Sequence, residues 1–227
     1  GLAGGYEYDR IHYKRNGSGK NHNWLAGVYG LYRPDTYYVL VDAAYGYSKN
    51  DIDRGIVVGP LRYKARSSPK ISQTIGYAEA GFDLDTGCFL VQPFAGIQVA
   101  RFWRDGVTER EPAGWGLSVH KKNWTATNSR IGVHLSADDV CGCTSVSLDV
   151  AWDQLLSCSN NSIVGRFTNF GNCYTIKGEK IGRSSVDYAL TVSSCIFNDM
   201  RAYFEFSGES WQHMNTFNVI AGVDMSW

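Results

Sequence analysis

The stretch that decides the fold is FNVIAGVDMSW, residues 217–227. Apolar or small residues occupy its odd-numbered positions: Phe217, Val219, Ala221, Val223, Met225 and Trp227. The even-numbered positions are polar or small except for Ile220. A period of two residues is typical of a β-strand with two unlike faces. The last residues of a soluble protein are usually loose and polar, whereas Trp227 belongs to the apolar face.

The same alternation recurs along the whole chain, in stretches closed by turn signals. It predicts strands near 1–14, 21–33, 36–49, 70–84, 88–104, 116–135, 143–154, 163–177, 184–197, 200–209 and 215–227. No amphipathic pattern of helical period competes with it. Aromatic residues make up 14% of the chain and glycine contributes 25 residues, a composition that favours long strands. We therefore expect an all-β, antiparallel, up-and-down protein.

The faces of these strands differ in a consistent way. In residues 143–154, for example, one face carries Val146, Leu148, Val150 and Trp152, and the other carries Ser145, Ser147, Asp149, Ala151 and Asp153. Lipid tails accept an aliphatic face with aromatic ends, and a polar opposite face suits the interior of a transmembrane barrel. A soluble barrel or sandwich, with the aliphatic face as its core, has the same pattern and stays open as an alternative.

The connections alternate in length. Tight turns are expected at 33–36, 84–87 and 197–199, with a somewhat longer connection at 137–143. Longer connections are expected at 15–23, near 50–69, 105–115 and 155–183, and at 207–215. Short turns at one end and long loops at the other are typical of outer-membrane barrels.

Charge and motifs limit the function classes. The chain has 22 Lys plus Arg and 22 Asp plus Glu, so no electrostatic case for nucleic acid arises. RNGSGKN at 15–21 lacks the upstream glycine and the Ser or Thr of a phosphate-binding loop. The five histidines do not pair at metal-binding spacing. We expect no catalytic residue, no cofactor and no metal site.

Seven segments resemble, in order, the C-terminal translocator (β) domain of autotransporters, the type V secretion proteins of Gram-negative bacteria. They are GLAGGYEYD (1–9), NHNWLAGVYGLYR (21–33), YYVLVDAAYGYSKND (37–51), IGYAEAGFDLD (75–85), VQPFAGIQVARFWRDGVTE (91–109), SRIGVHLS (129–136) and the final FNVIAGVDMSW. Each motif is weak alone, but seven in family order over almost the whole chain are specific.

The resemblance implies a transmembrane β-barrel of 12 strands with a helical segment in its pore. Residues 1–227 would be the C-terminal portion, with about ten strands present and the first two strands and the pore helix missing. The implied function is export of an N-terminal passenger domain across the cell outer membrane, without enzyme activity. The implied partners are outer-membrane lipid, the barrel-assembly machinery and the protein's own passenger, and the family works as a monomer. The alternative is a stand-alone outer-membrane porin or adhesin barrel.

Eight charged residues fall on the predicted polar faces and are candidates for the lumen: Glu7, Asp42, Glu79, Arg130, Asp149, Arg201, Glu205 and Asp224. They would either hold the passenger linker in transit or neutralise one another across a narrow lumen. The apolar row of the last strand resembles the signal read by the barrel-assembly machinery. That candidate signal is Phe217, Val219, Val223, Met225 and Trp227; a strand end that merely packs is the other interpretation.

Six cysteines, at 88, 141, 143, 158, 173 and 195, indicate an oxidising compartment. Cys158 and Cys173 share one predicted external loop, and a disulfide between them is one hypothesis. A second hypothesis is a disulfide at the opposite, short-turn end, where the other four cysteines lie. Free thiols remain an open alternative, because connectivity cannot be read from sequence.

Overall fold

The computed structural model describes residues 1–13, 17–110, 114–138, 143–158, 162–169, 171–177, 182–197, 200–212 and 214–225. Its strands are β1 (Leu2–Tyr13), β2 (Gly17–Tyr32), β3 (Tyr37–Val58), β4 (Leu61–Ser67), β5 (Lys70–Phe82), β6 (Leu84–Asp85), β7 (Leu90–Arg104), β8 (Val107–Thr108), β9 (Leu117–Val119), β10 (Lys122–Ala137), β11 (Thr144–Cys158), β12 (Ser162–Phe167), β13 (Cys173–Lys177), β14 (Ser184–Phe197), β15 (Met200–Trp211) and β16 (Asn215–Met225).

Ten long strands form one sheet in the order β1-β2-β3-β5-β7-β10-β11-β14-β15-β16, and each pairs antiparallel with the next. The sheet curls as part of a barrel. Chain order and sheet order agree, so the up-and-down topology expected from the alternation is confirmed. Within the described residues β1 and β16 each have one neighbour, which leaves one open edge on each.

The two ends of the sheet differ. At the short-turn end, the connections between β2 and β3, β5 and β7, β10 and β11, and β14 and β15 are brief. In the turn between β6 and β7, the Asp85 carboxylate accepts a hydrogen bond from the Gly87 N–H at 2.7 Å. Gly87 has φ +84°, a conformation that favours glycine. At the opposite, long-loop end, three of the five connections carry further strands. The other two are only three residues long, at 14–16 and 212–214, so the long connections predicted at 15–23 and 207–215 are wrong and these segments are largely strand.

The long-loop end contains structure that the alternation did not resolve. A second sheet has the order β13-β12-β9-β8. The strand predicted at 163–177 is wrong as a single element, because it is the hairpin of β12 and β13. The strand predicted at 116–135 is likewise divided into β9 and β10, since the two parts belong to different sheets.

Residues 50–69 were predicted as a loop but are largely strand. β3 continues to Val58 and β4 pairs back onto it. The alternation in this region places Asp51 and Asp53 on one face and Ile52, Arg54 and Ile56 on the other. The backbone groups of β3 pair with β4 inside this hairpin. The Arg54 guanidinium binds the Glu109 carboxylate, with Nε–Oε1 at 3.0 Å, and so ties this hairpin to the connection that follows β8.

Little of the sheet is buried by the chain itself. The main cluster of buried residues contains Tyr38, Phe94 and Ala151, with Leu40 packed against it. These residues lie on one face of β3, β7 and β11. The opposite face leaves large aliphatic side chains open along most strands, which a folded domain surrounded by water rarely does over so large a continuous area.

Candidate functional site

The concave face of the main sheet is identified by contacts that reach over an intervening strand. His134 of β10 contacts Glu79 of β5, with β7 between them. Arg130 of β10 likewise reaches Asp187 of β14 over β11, and Arg201 of β15 reaches Ser145 of β11 over β14. Side chains on strands two apart converge only on the inner side of a curved sheet. This face therefore lines the interior.

A buried carboxylate organises the interior between β3 and β11. Glu79 is 6% exposed. The Tyr38 hydroxyl donates to its Oε1 at 2.7 Å, and the Tyr77 hydroxyl donates to its Oε2. Nε2 of His134 lies 3.4 Å from Glu79 Oε1, and its Nδ1 bonds Asp149. A buried carboxylate needs such partners, because leaving it unpaired away from water is costly.

The ring of His134 is fixed from a second direction. Phe94 stacks on it with centroids 4.2 Å apart and planes 10° from parallel. Phe94 itself belongs to the buried cluster with Tyr38 and Ala151. The imidazole is therefore held by stacking as well as by two carboxylates. The arrangement is suited to holding neighbouring strands together.

A second network lies further along the interior, toward the long-loop end. NH1 of Arg130 is 2.9 Å from Asp187 Oδ2 and 3.3 Å from Asp153 Oδ2. The hydroxyl of Ser185 donates to Glu209 Oε1 at 3.0 Å. Asp187 and Glu209 also line an open cavity of about 240 Å³ on this face. The interior thus combines both charge signs with water-accessible space, as expected for a barrel lumen.

The predicted lumen residues can be placed by strand register. Cross-strand partners point to the same side of a sheet, so the register extends the concave face from strand to strand. All eight share that face: Glu7, Asp42, Glu79, Arg130, Asp149, Arg201, Glu205 and Asp224. The structure brings Glu79 and Asp149 together through His134, and the other six lie apart from that group.

Asp153, Asp187 and Glu209, near Arg130 on the interior face, were absent from the predicted set. Asp187 stands between Val186 and Tyr188 in β14, so the period-two alternation carried the signal for it. The same alternation places Asp153 on the face of Asp149. The sequence could not show that Arg130 binds both Asp153 and Asp187. Arg130 and Asp187 are far apart in the chain and come together only through the order of the strands in the sheet.

The convex face is aliphatic at mid-strand. Ile97, Ile131, Val150 and Leu190 are 46%, 55%, 37% and 43% exposed. In the last strand, Phe217, Val219 and Val223 lie on the same face. Met225 is within β16, and Trp227 is outside the described residues. A continuous aliphatic surface of this kind matches the hydrocarbon of a bilayer.

Aromatic residues border the convex face at both ends. At the short-turn end, Tyr32 contacts Tyr37 with ring centroids 6.3 Å apart. Toward the other end, Trp24 contacts Tyr6 and Tyr47 at 5.5 and 5.9 Å. Tyr37 and Tyr47 are ten positions apart in β3, a strand length of about 33 Å. With a tilt of about 40°, that length spans about 25 Å of height, which is the apolar band of an outer-membrane barrel between its aromatic girdles.

The cysteines differ in part from the hypotheses. A disulfide joins Cys143 to Cys195 at the short-turn end, with Cα atoms 5.7 Å apart. The bond suggested between Cys158 and Cys173 is not found. Cys158 ends β11 opposite Ala126 in the main sheet, whereas Cys173 begins β13 in the second sheet. Cys88 is exposed, and Cys141 lies outside the described residues.

Two kinds of feature are absent from the described residues. Within the ranges that the structure covers, no group of three or more His, Cys, Asp or Glu side chains is arranged to hold a metal ion. The same ranges contain no helix long and apolar enough to cross a membrane.

This fold resembles those of known proteins. The family model described as the autotransporter β-domain matches residues 1–207. The translocator domain of the autotransporter NalP from Neisseria meningitidis superposes with a TM-score of 0.80 at 15% identity, over 99% of this chain and 73% of that one. The transport unit of the autotransporter AIDA-I from Escherichia coli gives a TM-score of 0.42 at 12% identity, over 100% of this chain and 81% of that one. No curated protein matches the sequence.

The family match covers most of the chain, and the sheet has the translocator fold with a polar inner face and an apolar outer face. The long loops accordingly mark the external end, and the short turns the periplasmic end. The chain belongs to the autotransporter β-domain family: it is an outer-membrane translocator that exports a passenger domain by type V secretion.

Proposed function

We propose that residues 1–227 form the C-terminal portion of a twelve-stranded translocator barrel, completed by two further strands between the open edges of β1 and β16. The observation that supports this is that each of these strands has one neighbour within the described residues. Inside a bilayer, backbone N–H and C=O groups must be paired, so a sheet spanning it has to close. A closed barrel has no free edge, and we propose that it works as a monomer.

The passenger's linker passes along the concave face on its way to the cell surface. This proposal rests on the contrast between the two faces. Glu79, Arg130 and Asp187 give the inner face fixed charges and hydrogen-bonding groups, whereas the outer face is aliphatic. A polypeptide backbone in transit exposes its own polar groups, and the inner face is the one that offers them partners.

Site-specific photo-crosslinking in the full-length protein tests this route. A photoreactive amino acid is placed at Ser207, on the concave face of β15, or at Phe206, its convex neighbour. During export we expect adducts with the protein's own passenger linker from position 207. Position 206 should give lipid or assembly-factor adducts. Equal yields of linker adduct from both positions would contradict the proposed route.

The last strand is the part that we propose the barrel-assembly machinery binds. β16 offers an open backbone edge, and a strand can be added at such an edge by main-chain hydrogen bonds. Phe217, 62% exposed on the convex face, is the described aromatic residue of the candidate signal. Met225, at the end of β16, belongs to the same candidate signal, and so does Trp227, which lies outside the described residues.

The variant Phe217→Ala tests whether this residue is needed for recognition by the assembly machinery or for folding itself. In vesicles that contain the purified assembly machinery, we expect this variant to assemble more slowly than wild type. In detergent micelles without the machinery, its folding rate should stay close to wild type. Ile220→Ala, on the concave face of the same strand, is the matched control and should leave the assisted rate unchanged. An equal loss for both variants would refute the proposed signal.

A further inference from the structure

The disulfide between Cys143 and Cys195 extends the pairing of β11 with β14 at the periplasmic end. Thr144 pairs with Ser194 in register, so the two cysteines occupy the next opposed position outward. The N–H of Cys195 lies 3.4 Å from the carbonyl oxygen of Cys143. The disulfide is a covalent link between β11 and β14 at the periplasmic end of the sheet.

β11 and β14 have the longest connection between neighbouring strands of the main sheet. Residues 159–183 separate them, whereas residues 212–214 separate β15 from β16. The cost in entropy of bringing two strands together rises with the length of the chain between them. This connection includes β12 and β13, which lie at the external end, so it must cross the membrane while β11 and β14 pair.

The side chains beside the disulfide supply little apolar packing for this pairing. The hydroxyl groups of Thr144 and Ser194 are 3.0 Å apart, and those of Ser145 and Ser193 are 2.7 Å apart. Hydroxyl pairs at a water-exposed edge exchange one hydrogen bond for another, so their net contribution is small. The covalent bond is the strong connection at this end of the β11–β14 pair.

We propose that Cys143 and Cys195 are the substrate of a periplasmic thiol–disulfide oxidoreductase, and that their bond forms before the strands insert in the membrane. One cysteine thiolate attacks the disulfide of the oxidoreductase and forms a mixed disulfide. The second thiolate displaces the enzyme's sulfur. The chain loses two protons and two electrons, and the enzyme leaves as a dithiol. The finished bond holds β11 beside β14 while residues 159–183 cross.

Pulse-chase labelling of the full-length protein in cells gives the order of events. Samples are quenched with acid, and free thiols are alkylated with a maleimide polymer that shifts the band on a gel. Heat-modifiability of the same samples reports the assembled barrel. Cys88→Ser and Cys141→Ser are introduced in all variants, so that Cys143 and Cys195 are the two cysteines left near the periplasmic end. We expect the disulfide to precede the heat-modifiable band.

A membrane-permeant dithiol added at the pulse should slow assembly roughly tenfold, because the long connection must then close without the bond. Added after assembly, it should leave the heat-modifiable band in place. The Cys143→Ser/Cys195→Ser variant should assemble slowly with or without the dithiol. Cys158→Ser/Cys173→Ser is the matched control and should respond to the dithiol as the parent does.

The timing is measured in a chain that keeps both Cys143 and Cys195, so it decides the proposal even if the Cys143→Ser/Cys195→Ser variant is degraded. A disulfide that appears only after the heat-modifiable band would overturn the proposed order. Assembly at an equal rate with and without the dithiol would overturn the proposed role. Normal oxidation of the pair in cells that lack periplasmic thiol–disulfide oxidoreductases would overturn the proposed partner.

Discussion

Arg33 binds Asp83 through both edges of its guanidinium, although 50 positions separate them in the chain. Nε lies 2.9 Å from Oδ2, and the second nitrogen lies 3.2 Å from Oδ1. Arg33 follows β2 and Asp83 follows β5, so the pair joins two strand ends across β3 at the periplasmic rim. Gln92 donates a further hydrogen bond to Asp83 Oδ1 at 2.6 Å.

The first prediction concerns the stability of the protein at low pH. The hydrogen bond from Arg33, and then that from Gln92, holds the pKa of Asp83 below its ordinary value of 3.8. A lowered pKa in the folded state gives stability that is present above the unfolded pKa and is lost as the pH falls through the folded one. Asp83→Asn should lower the unfolding free energy in lipid vesicles by about 1 kcal/mol at pH 7, because the pair is partly exposed.

The difference between wild type and Asp83→Asn should shrink as the pH is lowered below about 4. Asp35→Asn removes another carboxylate from the same rim and serves as the control. A difference that persists unchanged to pH 2.5 would show that the charge of Asp83 is not what stabilises the rim. Urea unfolding followed by tryptophan fluorescence provides the measurement.

The second prediction concerns the interior carboxylate. Glu79→Gln keeps the size of the side chain but turns one acceptor into a donor, facing a hydroxyl of Tyr38 or Tyr77. We expect a loss of about 2 kcal/mol in unfolding free energy. In a double-mutant cycle, Tyr38→Phe should cost less in the Glu79→Gln background than in wild type. Asp42→Asn makes the same charge change on the same face, and an equal loss there would contradict a special role for Glu79.

The sheet topology and its two faces were predictable, because period-two alternation is a local property that each strand displays by itself. Val150 between Asp149 and Ala151 already indicates which face of β11 is apolar. The external sheet was not predictable in the same way. β9 has three residues and β12 has six, and their pairing depends on segments far apart in the chain, such as Val119 with Gly165.

The sequence could show which residues share the interior face, but not which of them contact one another. His134 and Asp149 lie opposite each other on the adjacent strands β10 and β11. Counting residues outward from the connecting turn would place the two close to each other. Glu79 joins them from two strands away, and the curvature of the sheet decides that contact. The disulfide shows the same limit. Six cysteines allow many pairings, and only the register of β11 with β14 selects Cys143 and Cys195.

The third prediction concerns Gly81, where the neighbouring atoms leave no room for a side chain. A Cβ at Gly81 would lie 2.5 Å from Cε1 of Tyr38 and 2.8 Å from the Pro93 carbonyl oxygen. The tyrosine cannot move freely, because its hydroxyl is bonded to Glu79. Gly81→Ala should therefore cost about 2 kcal/mol of unfolding free energy. Gly76→Ala has no atom within 4 Å of the new Cβ and should be neutral or stabilising by about 0.5 kcal/mol. Equal effects would refute the packing argument.

The fourth prediction concerns the stability of the finished barrel. Removing the disulfide with Cys143→Ser/Cys195→Ser should lower the unfolding free energy by about 2–4 kcal/mol, because the unfolded chain gains freedom over a separation of 52 residues. Reductant should lower the wild-type value to that of the variant and leave the variant unchanged. Cys88→Ser should behave as wild type in both conditions. A variant that remains sensitive to reductant would show that another bond contributes.

The last prediction distinguishes the two faces within one dipeptide of β7. Ile97 points outward and is 46% exposed, and Gln98 points to the interior. Arginine near the bilayer midplane on the lipid face costs about 2–4 kcal/mol, whereas the polar lumen accepts it. Ile97→Arg should therefore abolish or strongly slow insertion into vesicles, and Gln98→Arg should insert within about 1 kcal/mol of wild type. If the outer face met water instead, Ile97→Arg would be the milder change, so the order of the two variants tests the assignment of the faces directly.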